Sequence, residues 1–183
     1  MSKAEKVLRG IEKVAQQTSL PIIGVKKGAL LERVVKENQP SMILEIGALV
    51  GYSAILMAKN MKKGKIISIE TDKNNYSAAK ANIELAGFSD KIELINGDAL
   101  EIIPTLDGPF DMVFIDAKKE EYLKYLKAAE PKMTKDAMVV ADNVGVFKDR
   151  MKNFLDYVRK SGKYKSELHD FGFDGVEVSK RIR

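Results

Sequence analysis

Short apolar runs alternate with helical patterns along most of this chain, and this order restricts the fold more than any other feature. Five apolar runs have the length of buried strands, and most are separated by apolar residues at helical spacing. The predicted strands are Met42–Ile46, Lys65–Glu70, Ile92–Ile95, Phe110–Ile115 and Ala137–Ala141. Such alternation predicts an α/β fold in which helices cover both faces of a mostly parallel sheet.

Helices are predicted where apolar residues recur on one helical face. The predicted helices are Ala4–Ala15, Gly28–Lys36, Tyr52–Met61, Asn74–Ala86, Glu120–Ala129 and Met151–Lys160. Two alternating segments within Tyr164–Ser179 predict a hairpin that adds an antiparallel edge strand. No linker divides the chain, so we expect a single domain over residues 1–183, with N-terminal helices in 1–38 and the sheet core in 41–183.

The composition excludes several classes of site. The chain has no cysteine, so neither a disulfide framework nor a thiolate metal site can form. No apolar run is long enough to span a bilayer, and Met1–Gly10 lacks the apolar core of a signal peptide. We therefore expect a cytoplasmic protein that does not contact a membrane. The net charge of +5 is spread among 26 acidic residues, which favours a solvated lysine-rich surface over a nucleic-acid interface.

A glycine-bearing turn follows the first predicted strand. Gly47 and Gly51 lie in a Glu-x-Gly-x-x-x-Gly pattern, which lets the backbone approach a ligand at the start of the next helix. Dinucleotide-binding folds need Gly-x-Gly-x-x-Gly, whereas Leu49 occupies the middle glycine position here. The turn therefore lacks a tight phosphate cradle. It suits a nucleoside ligand without phosphates and argues against a dehydrogenase.

The next two predicted strands end in groups suited to the same ligand. Glu70 lies 23 positions after Gly47, near the spacing at which a carboxylate accepts hydrogen bonds from ribose hydroxyls. Asp98 and Ala99 follow the third strand and would lie beside the same crevice, close to an adenine ring. Taken singly, each residue also has a purely structural explanation, as part of a turn or a strand end. Three successive strand ends with compatible groups favour a nucleoside site.

Oxygen-bearing side chains end the fourth and fifth predicted strands. Asp116 follows one, and Asp142 and Asn143 follow the other. Because the carboxyl ends of parallel strands face one crevice, these side chains are expected to converge. Hard oxygen donors suit Mg²⁺, and a 1,2-dihydroxy substrate could fill further coordination positions. The competing explanation is that Asp116 caps a helix and Asp142 with Asn143 forms a turn.

A lysine lies close to the predicted cation site in sequence. Lys119 follows Asp116 by three residues and begins the next predicted helix, from which it could reach the crevice. There it could act as a general base toward a substrate hydroxyl. The competing explanation is that Lys118 and Lys119 belong to a solvated face. The joint occurrence of the base and the three oxygen donors favours the functional interpretation.

These motifs resemble those of the cation-dependent class I O-methyltransferases, the family that includes catechol O-methyltransferase and caffeoyl-CoA O-methyltransferase. The resemblance extends from about Gly24 to Asn143 and returns weakly at Asp174–Glu177. The motifs that carry it are Gln39–Ser41, Leu44–Gly47, Gly51–Ala54 and Asp116–Lys119 with Tyr122. The first three are similar to the catechol enzyme, and the last is closer to the caffeoyl-CoA and bacterial members.

The resemblance implies a Rossmann-like sheet of seven strands, mostly parallel with an antiparallel last strand. It also implies transfer of a methyl group from S-adenosylmethionine (SAM) to a hydroxyl of a catechol-like substrate, with Mg²⁺ or another divalent cation. The SAM contacts that it implies are Ile23, Glu45, Gly47, Ser53, Glu70, Ala99 and Asp116. Metal ligation would fall to Asp116, Asp142 and Asn143, with Lys119 as the base. The family pattern is compatible with a monomer or a homodimer.

Two departures from the catechol enzyme concern the acceptor. That enzyme walls its substrate with tryptophans, whereas this chain has none and carries Ser19 and Lys118 at the matching positions. It also has a late glutamate, to which none of Glu167, His169 and Asp170 aligns securely. One alternative is therefore the same chemistry on hydroxyuridine in tRNA, although no basic stripe interleaves with aromatic residues. Another is a SAM- or nucleic-acid-binding module without catalysis, which the presence of Lys119 disfavours.

Overall fold

The computed structural model describes residues 1–183 and contains seven α-helices and seven strands. The helices are α1 (Lys3–Thr18), α2 (Gly24–Asn38), α3 (Tyr52–Asn60), α4 (Lys73–Ala86), α5 (Ala99–Ile102), α6 (Tyr122–Ala129) and α7 (Lys152–Lys160). The strands are β1 (Met42–Ile46), β2 (Lys65–Glu70), β3 (Ile92–Asn96), β4 (Phe110–Ile115), β5 (Met133–Ala141), β6 (Tyr164–Asp170) and β7 (Gly175–Arg181). None of the helices is both long and apolar enough to cross a membrane.

The seven strands form one sheet in the order β3-β2-β1-β4-β5-β7-β6. The first five strands are parallel, and β7 lies antiparallel between β5 and β6. This topology confirms the predicted α/β fold with an antiparallel last strand. The chain moves outward from β1 to β2 and β3, then returns to place β4 on the other side of β1. A switch point therefore lies between β1 and β4, where the connections leave a crevice at the carboxyl ends.

Two hydrophobic clusters cover the two faces of the sheet. One cluster packs α1 to α4 against one face, and the other packs α6 and α7 against the opposite face. Within β1, Ile43 belongs to the first cluster and Leu44 to the second, and both are fully buried. Side chains alternate between the faces of a strand, so a continuous apolar run is what a sheet covered on both sides requires.

Several elements differ from the predictions; α2, for example, begins at Gly24, four residues before the predicted start. The predicted helix over 120–129 starts as a 3-10 turn at Lys119–Glu121, and the α-helix begins only at Tyr122. The fifth strand begins four residues earlier than expected, at Met133, because it continues beside β4 as far as Phe110. The short helix α5 was not predicted, since four residues are too few to show helical periodicity.

The helices α1 and α2 precede the sheet and contribute to the first cluster. Ser2 and Glu5 form a reciprocal capping box at the start of α1, which satisfies backbone N–H groups at that end. The hydroxyl of Tyr52 in α3 donates to Glu12 of α1 over 2.7 Å. The expectation of a single domain over residues 1–183 stays a prediction.

Candidate functional site

A cavity of about 690 Å³ opens at the carboxyl ends of the parallel strands. Its volume lies in the range of small-molecule sites, and it occupies the switch point between β1 and β4. Most predicted site residues line it, namely Ile23, Gly47, Ser53, Glu70, Asp98, Ala99, Asp116, Lys119 and Asn143. The other two, Glu45 and Asp142, do not line it and are almost fully buried.

The turn after β1 needs its glycine for close packing as well as for its backbone angle. Gly47 has φ +96°, and a Cβ atom there would lie 2.1 Å from the backbone oxygen of Asp116. Any larger residue would therefore push the end of β1 away from the end of β4. Gly51 has φ +82° at the start of α3, and Leu49 between them has φ 49°. The turn brings backbone to the cavity wall, as the spacing predicted.

Glu45 is a fully buried carboxylate held by two serine hydroxyls. Ser53 donates to one of its oxygens and Ser68 to the other. The pKa of Glu45 is raised to about 7. Burial is the largest cause; the two hydroxyl donors lower the pKa, and repulsion from Asp116 and Glu70 raises it further. Ser53 lines the cavity, so it connects the buried carboxylate to the ligand space. Ser68, on β2, was missed because a serine within an apolar strand shows no functional spacing.

Glu70 organises the backbone at the end of β2. Its Oε2 accepts from the backbone N–H of Leu49 over 2.7 Å, and its Oε1 accepts from that of Asp72 over 2.9 Å. The carboxylate therefore links the glycine turn after β1 to the end of β2. Asp98 caps α5 by accepting from the backbone N–H of Leu100 over 2.8 Å. Its structural role as a helix cap is thus real, and it lines the cavity as well.

Lys119 joins the ends of β4 and β5. Its ammonium nitrogen lies 2.8 Å from Oδ1 of Asp116, 2.7 Å from Oδ1 of Asn143 and 2.9 Å from the hydroxyl oxygen of Tyr122. The Tyr122 hydroxyl itself donates to the backbone oxygen of Asp142 over 3.1 Å. Tyr122 is fully buried, and this burial raises its pKa well above the ordinary value. The Tyr122 hydroxyl is therefore an uncharged hydrogen-bond partner of Lys119.

Asn143 adopts a backbone conformation that few residues accept. Its φ of 63° lies in the left-handed region, which asparagine tolerates better than most residues other than glycine. The chain bends at this residue, directly after β5, and Asn143 therefore forms part of the cavity wall. The turn explanation and the functional explanation for Asp142 and Asn143 are therefore compatible.

Asp142 is paired with a lysine from the N-terminal helices. The Lys27 ammonium lies 2.6 and 2.9 Å from the two oxygens of Asp142 and 2.7 Å from Oδ2 of Asp174. The Asp142 side chain is only 1% exposed. Lys27 lies on α2 and Asp174 lies between β6 and β7, so three distant parts of the chain meet here. Sequence spacing could not have found Lys27, because 115 positions separate it from Asp142.

The three charged groups of this cluster influence one another. Burial raises the pKa of Asp142, repulsion from Asp116 adds to the rise, and Lys27 opposes it. Burial also disfavours the charged forms of Lys27 and Asp174, but the groups that contact them favour these forms more strongly. The pKa of Lys27 is raised by the two carboxylates, and the pKa of Asp174 is lowered to about 2 by its hydrogen-bond donors. The cluster therefore holds a strongly ionised lysine beside a buried carboxylate.

The candidate cation site consists of two carboxylates and an amide. Asp116 and Asn143 both contact Lys119 at the ends of β4 and β5, whereas the Asp142 carboxylate is paired with Lys27; their role as a metal site stays a prediction. No cluster of three histidine, aspartate or glutamate side chains has the arrangement of a metal site, so the amide oxygen is needed to complete the set. Glu167, His169 and Asp170 do not line the cavity.

Comparison with known proteins identifies the family. The family model described as O-methyltransferase matches residues 2–159. The chain is 37% identical over 135 residues to the catechol O-methyltransferase of Niastella koreensis, covering 70% of this chain and 61% of that protein. It is 34% identical over 150 residues to the catechol O-methyltransferase of Bos taurus, covering 78% of this chain and 54% of that protein. The chain thus spans somewhat more than half the length of these relatives.

A solved structure supports the same assignment. The chain superimposes on the O-methyltransferase TomG from Streptomyces achromogenes in complex with SAM with a TM-score of 0.84 and 28% identity. The match covers 97% of this chain and 90% of that one. The family model, the relatives and this structure agree with the resemblance found in the motifs. The chain therefore belongs to the O-methyltransferase family.

Proposed function

We propose that this protein transfers the methyl group of SAM to one hydroxyl of a catechol-like, 1,2-dihydroxy aromatic substrate, using Mg²⁺ or another divalent cation. The observation that carries the proposal is the position of the Lys119 ammonium, which contacts Asp116 and Asn143 at the cavity wall. A basic side chain, hard oxygen donors and a cavity of ligand size thus meet at one edge of the sheet. The relatives named catechol O-methyltransferase support the same class of acceptor.

The methionine end of SAM is assigned to the Glu45 and Ser53 side of the cavity. Ser53 lines the cavity, and because its hydroxyl hydrogen is donated to Glu45, its oxygen is left as an acceptor for the ammonium of the cofactor. Glu45 is buried next to Ser53, and an ammonium of SAM at this side of the cavity would favour the ionised form of its carboxyl group. Gly47 brings the backbone close without a side chain in the way, and Ile23 adds an apolar wall.

The nucleoside end of SAM is assigned to the ends of β2 and β3. Each oxygen of Glu70 accepts one backbone N–H and keeps a second lone pair, which can accept from a ribose hydroxyl. Asp98 uses one oxygen as a helix cap and keeps the other for a polar group of the adenosine. Ala99 is small and nearly buried, which suits contact with the flat adenine ring.

The oxygens of the candidate cation site fit a divalent cation. Oδ2 of Asp116 accepts no hydrogen bond, Oδ2 of Asp142 accepts only from Lys27, and Oδ1 of Asn143 accepts only from Lys119. Each therefore keeps a lone pair, and such hard donors are those that Mg²⁺ prefers, although a bound cation would compete for these residues with the ammonium groups of Lys27 and Lys119. When bound, the cation would favour loss of a hydroxyl proton and would orient the oxygens of the acceptor.

The proposed reaction is an in-line displacement at the methyl carbon of SAM. Lys119 acts as the base only as a neutral amine, after its ammonium proton has passed to solvent; the acceptor hydroxyl then gives its proton to this amine, and its oxygen forms a bond to the methyl carbon. The carbon–sulfur bond breaks with its electron pair remaining on sulfur, so the products are an aryl methyl ether and S-adenosylhomocysteine (SAH). No covalent intermediate is required, so positioning of the two reactants supplies much of the rate.

Methyl transfer from labelled SAM to caffeate and to 3,4-dihydroxybenzoate tests the proposal, with Mg²⁺ and with EDTA in parallel. We expect product with Mg²⁺ and none with EDTA. Equal product in both would remove the cation from the mechanism. No product in either, with SAH binding retained, would contradict the catechol-like acceptor. Hydroxyuridine in tRNA would then be the next acceptor to test, and RNA binding should in that case fall steeply with salt.

A further inference from the structure

Glu45 differs from the other buried acidic residues in the kind of partner that it has. One of its oxygens contacts the hydroxyl of Ser53 and the other contacts the hydroxyl of Ser68. These hydroxyls are its only hydrogen-bond partners, and no lysine or arginine pairs with it. A hydroxyl can either donate or accept a hydrogen bond, so the same two serines fit a carboxylate and a protonated carboxyl group.

Most of the other buried acidic residues have partners that favour the ionised form. Arg159 contacts the two oxygens of Glu177 over 2.8 and 2.6 Å. Lys27 contacts both oxygens of Asp142, and Glu70 accepts from two backbone N–H groups. Guanidinium, ammonium and backbone N–H groups can only donate, so a carboxyl proton at these positions would point at a donor. The partners of Glu45 impose no such restriction.

The charged groups around Glu45 disfavour its ionisation. The residue lies on β1 between β2 and β4, with Ser53 of α3 against its side chain. The charged groups that these elements bring close are both carboxylates, Glu70 at the end of β2 and Asp116 after β4. Burial and the repulsion from these two groups raise the pKa of Glu45 to about 7, although the serine hydroxyls oppose the rise. Below neutral pH the carboxyl group is therefore mostly protonated when no cofactor is bound.

The cofactor brings a positive charge to this part of the cavity. SAM and SAH both carry an ammonium group at the amino acid end, which the proposed function assigns to the side of Glu45 and Ser53. Ser53 lines the cavity and contacts Glu45, so a cation bound beside Ser53 lies one side chain away from the buried carboxyl group. Because no cation of the protein pairs with Glu45, the ligand supplies the positive charge that this carboxylate lacks. A nearby opposite charge favours the ionised form.

We propose that the cofactor binds with release of one proton from Glu45, so that the free site holds a neutral carboxyl group and the occupied site holds a carboxylate close to the ligand's ammonium. The O–H bond of the carboxyl group breaks, its electron pair stays on the carboxylate, and the proton passes to solvent. The inference rests on the proposed function, which assigns the amino acid end of the ligand to this side of the cavity. Since the proton must leave when the ligand binds, cofactor affinity falls as the pH falls below about 7.

The experiment is calorimetric titration of SAH in two buffers that differ in ionisation enthalpy, which counts the protons that the buffer takes up. At pH 6 we expect about one proton released per SAH bound, because a group with a pKa of about 7 is mostly protonated there. Methylthioadenosine, which lacks the amino acid end, should release almost none. The Kd for SAH should be about tenfold higher at pH 6 than at pH 8, whereas the Kd for methylthioadenosine should change by less than about twofold.

Two variants test whether the proton comes from Glu45. Glu45→Gln removes the titrating group and keeps its size, so SAH should bind with almost no proton release. Glu130→Gln is the matched control, because Glu130 is also buried and accepts from two hydroxyls, those of Tyr157 and Tyr164, but does not line the cavity. It should release as many protons as the wild-type protein. Equal release by Glu45→Gln and the wild-type protein, or SAH binding by the wild-type protein without release, would overturn the inference alone. No SAH binding by the wild-type protein would overturn the proposed cofactor and the inference with it.

A measurement on the wild-type protein decides the matter if Glu45→Gln does not fold or does not bind SAH. Infrared difference spectroscopy separates the carbonyl stretching band of a protonated carboxyl group from the bands of a carboxylate. At pH 6, with the spectrum of the ligand subtracted, SAH should remove one protonated-carboxyl band and add carboxylate absorption, whereas methylthioadenosine should leave that band in place. If the band persisted with SAH bound, the carboxyl group would keep its proton, and the inference would be overturned.

Discussion

The Lys27 ammonium lies within 2.6 and 2.9 Å of the two carboxylate oxygens of Asp142, although 115 positions separate the residues in the chain. The Asp142 side chain is 1% exposed and that of Lys27 is 14% exposed. A cation supplied by α2 thus neutralises the carboxylate at the end of β5. The N-terminal helices are therefore part of the site and not only a cover for the sheet.

This contact predicts a large stability change in Lys27→Met, which keeps the length of the side chain and removes its charge. Loss of one partner leaves a buried charge uncompensated, so we expect the free energy of unfolding to fall by about 3 kcal/mol in EDTA. Urea unfolding measures this difference, and Lys26→Met, at an exposed neighbouring position, is the control. Similar losses in both variants, or no loss in either, would contradict the assignment of Lys27 as the partner of Asp142.

The buried Glu45 predicts a stability that depends on pH. Burial raises its pKa to about 7 in the folded protein, so ionisation is less favourable there than in the unfolded chain. The folded state therefore binds more protons between about pH 4.5 and 7, and the contribution of Glu45 to stability is lost as the pH rises through this window. Glu45→Gln removes this loss and keeps an acceptor and a donor for the two serines.

The measurement is urea unfolding of ligand-free Glu45→Gln and wild-type protein at pH 5 and pH 8. The difference in free energy of unfolding should shift by about 2.5 kcal/mol in favour of the variant between these values, because most of the linked change between the ordinary pKa and about 7 falls within this interval. The comparison at each pH cancels the other titrating groups. If the difference did not depend on pH, the pKa of Glu45 would not be raised by burial.

The sequence predicted those parts of the fold and site that depend on neighbours in the chain. The first four strands lie close to where the apolar runs placed them, and parallel strands necessarily bring Gly47, Glu70 and Asp116 to one edge. Lys27 and Asp174 could not be found in this way, because their contacts depend on how α2 and the β6–β7 connection pack against the sheet. Ser68 and Tyr122 were not assigned roles, since their partners, Glu45 and Lys119, are defined only by side-chain geometry in three dimensions.

The two contacts of Glu70 with backbone N–H groups predict an effect on cofactor binding. Glu70→Ala removes the proposed ribose acceptor and also releases the turn at Leu49 and the backbone at Asp72. Hydrogen bonds to a charged acceptor contribute about 1.5–3 kcal/mol, so we expect the Kd for SAH to rise by about ten- to a hundredfold. Calorimetry measures this change, with Glu93→Ala, an exposed position on β3, as the control. An unchanged Kd would contradict the ribose assignment.

The contacts of Lys119 predict a loss of methyl transfer that binding does not explain. Lys119→Met removes the proposed base, and Lys119→Arg keeps a positive charge beside Asp116 but cannot accept a proton near neutral pH. Both variants should therefore slow transfer by about a hundred- to ten-thousandfold, while the Kd for SAH changes little. Single-turnover transfer to a catechol with Mg²⁺ measures the rate, and Lys124→Met, on the exposed face of α6, should retain wild-type activity. If Lys119→Arg were as active as the wild-type protein, the lysine would act through its charge alone, and the role of base would have to pass to another group.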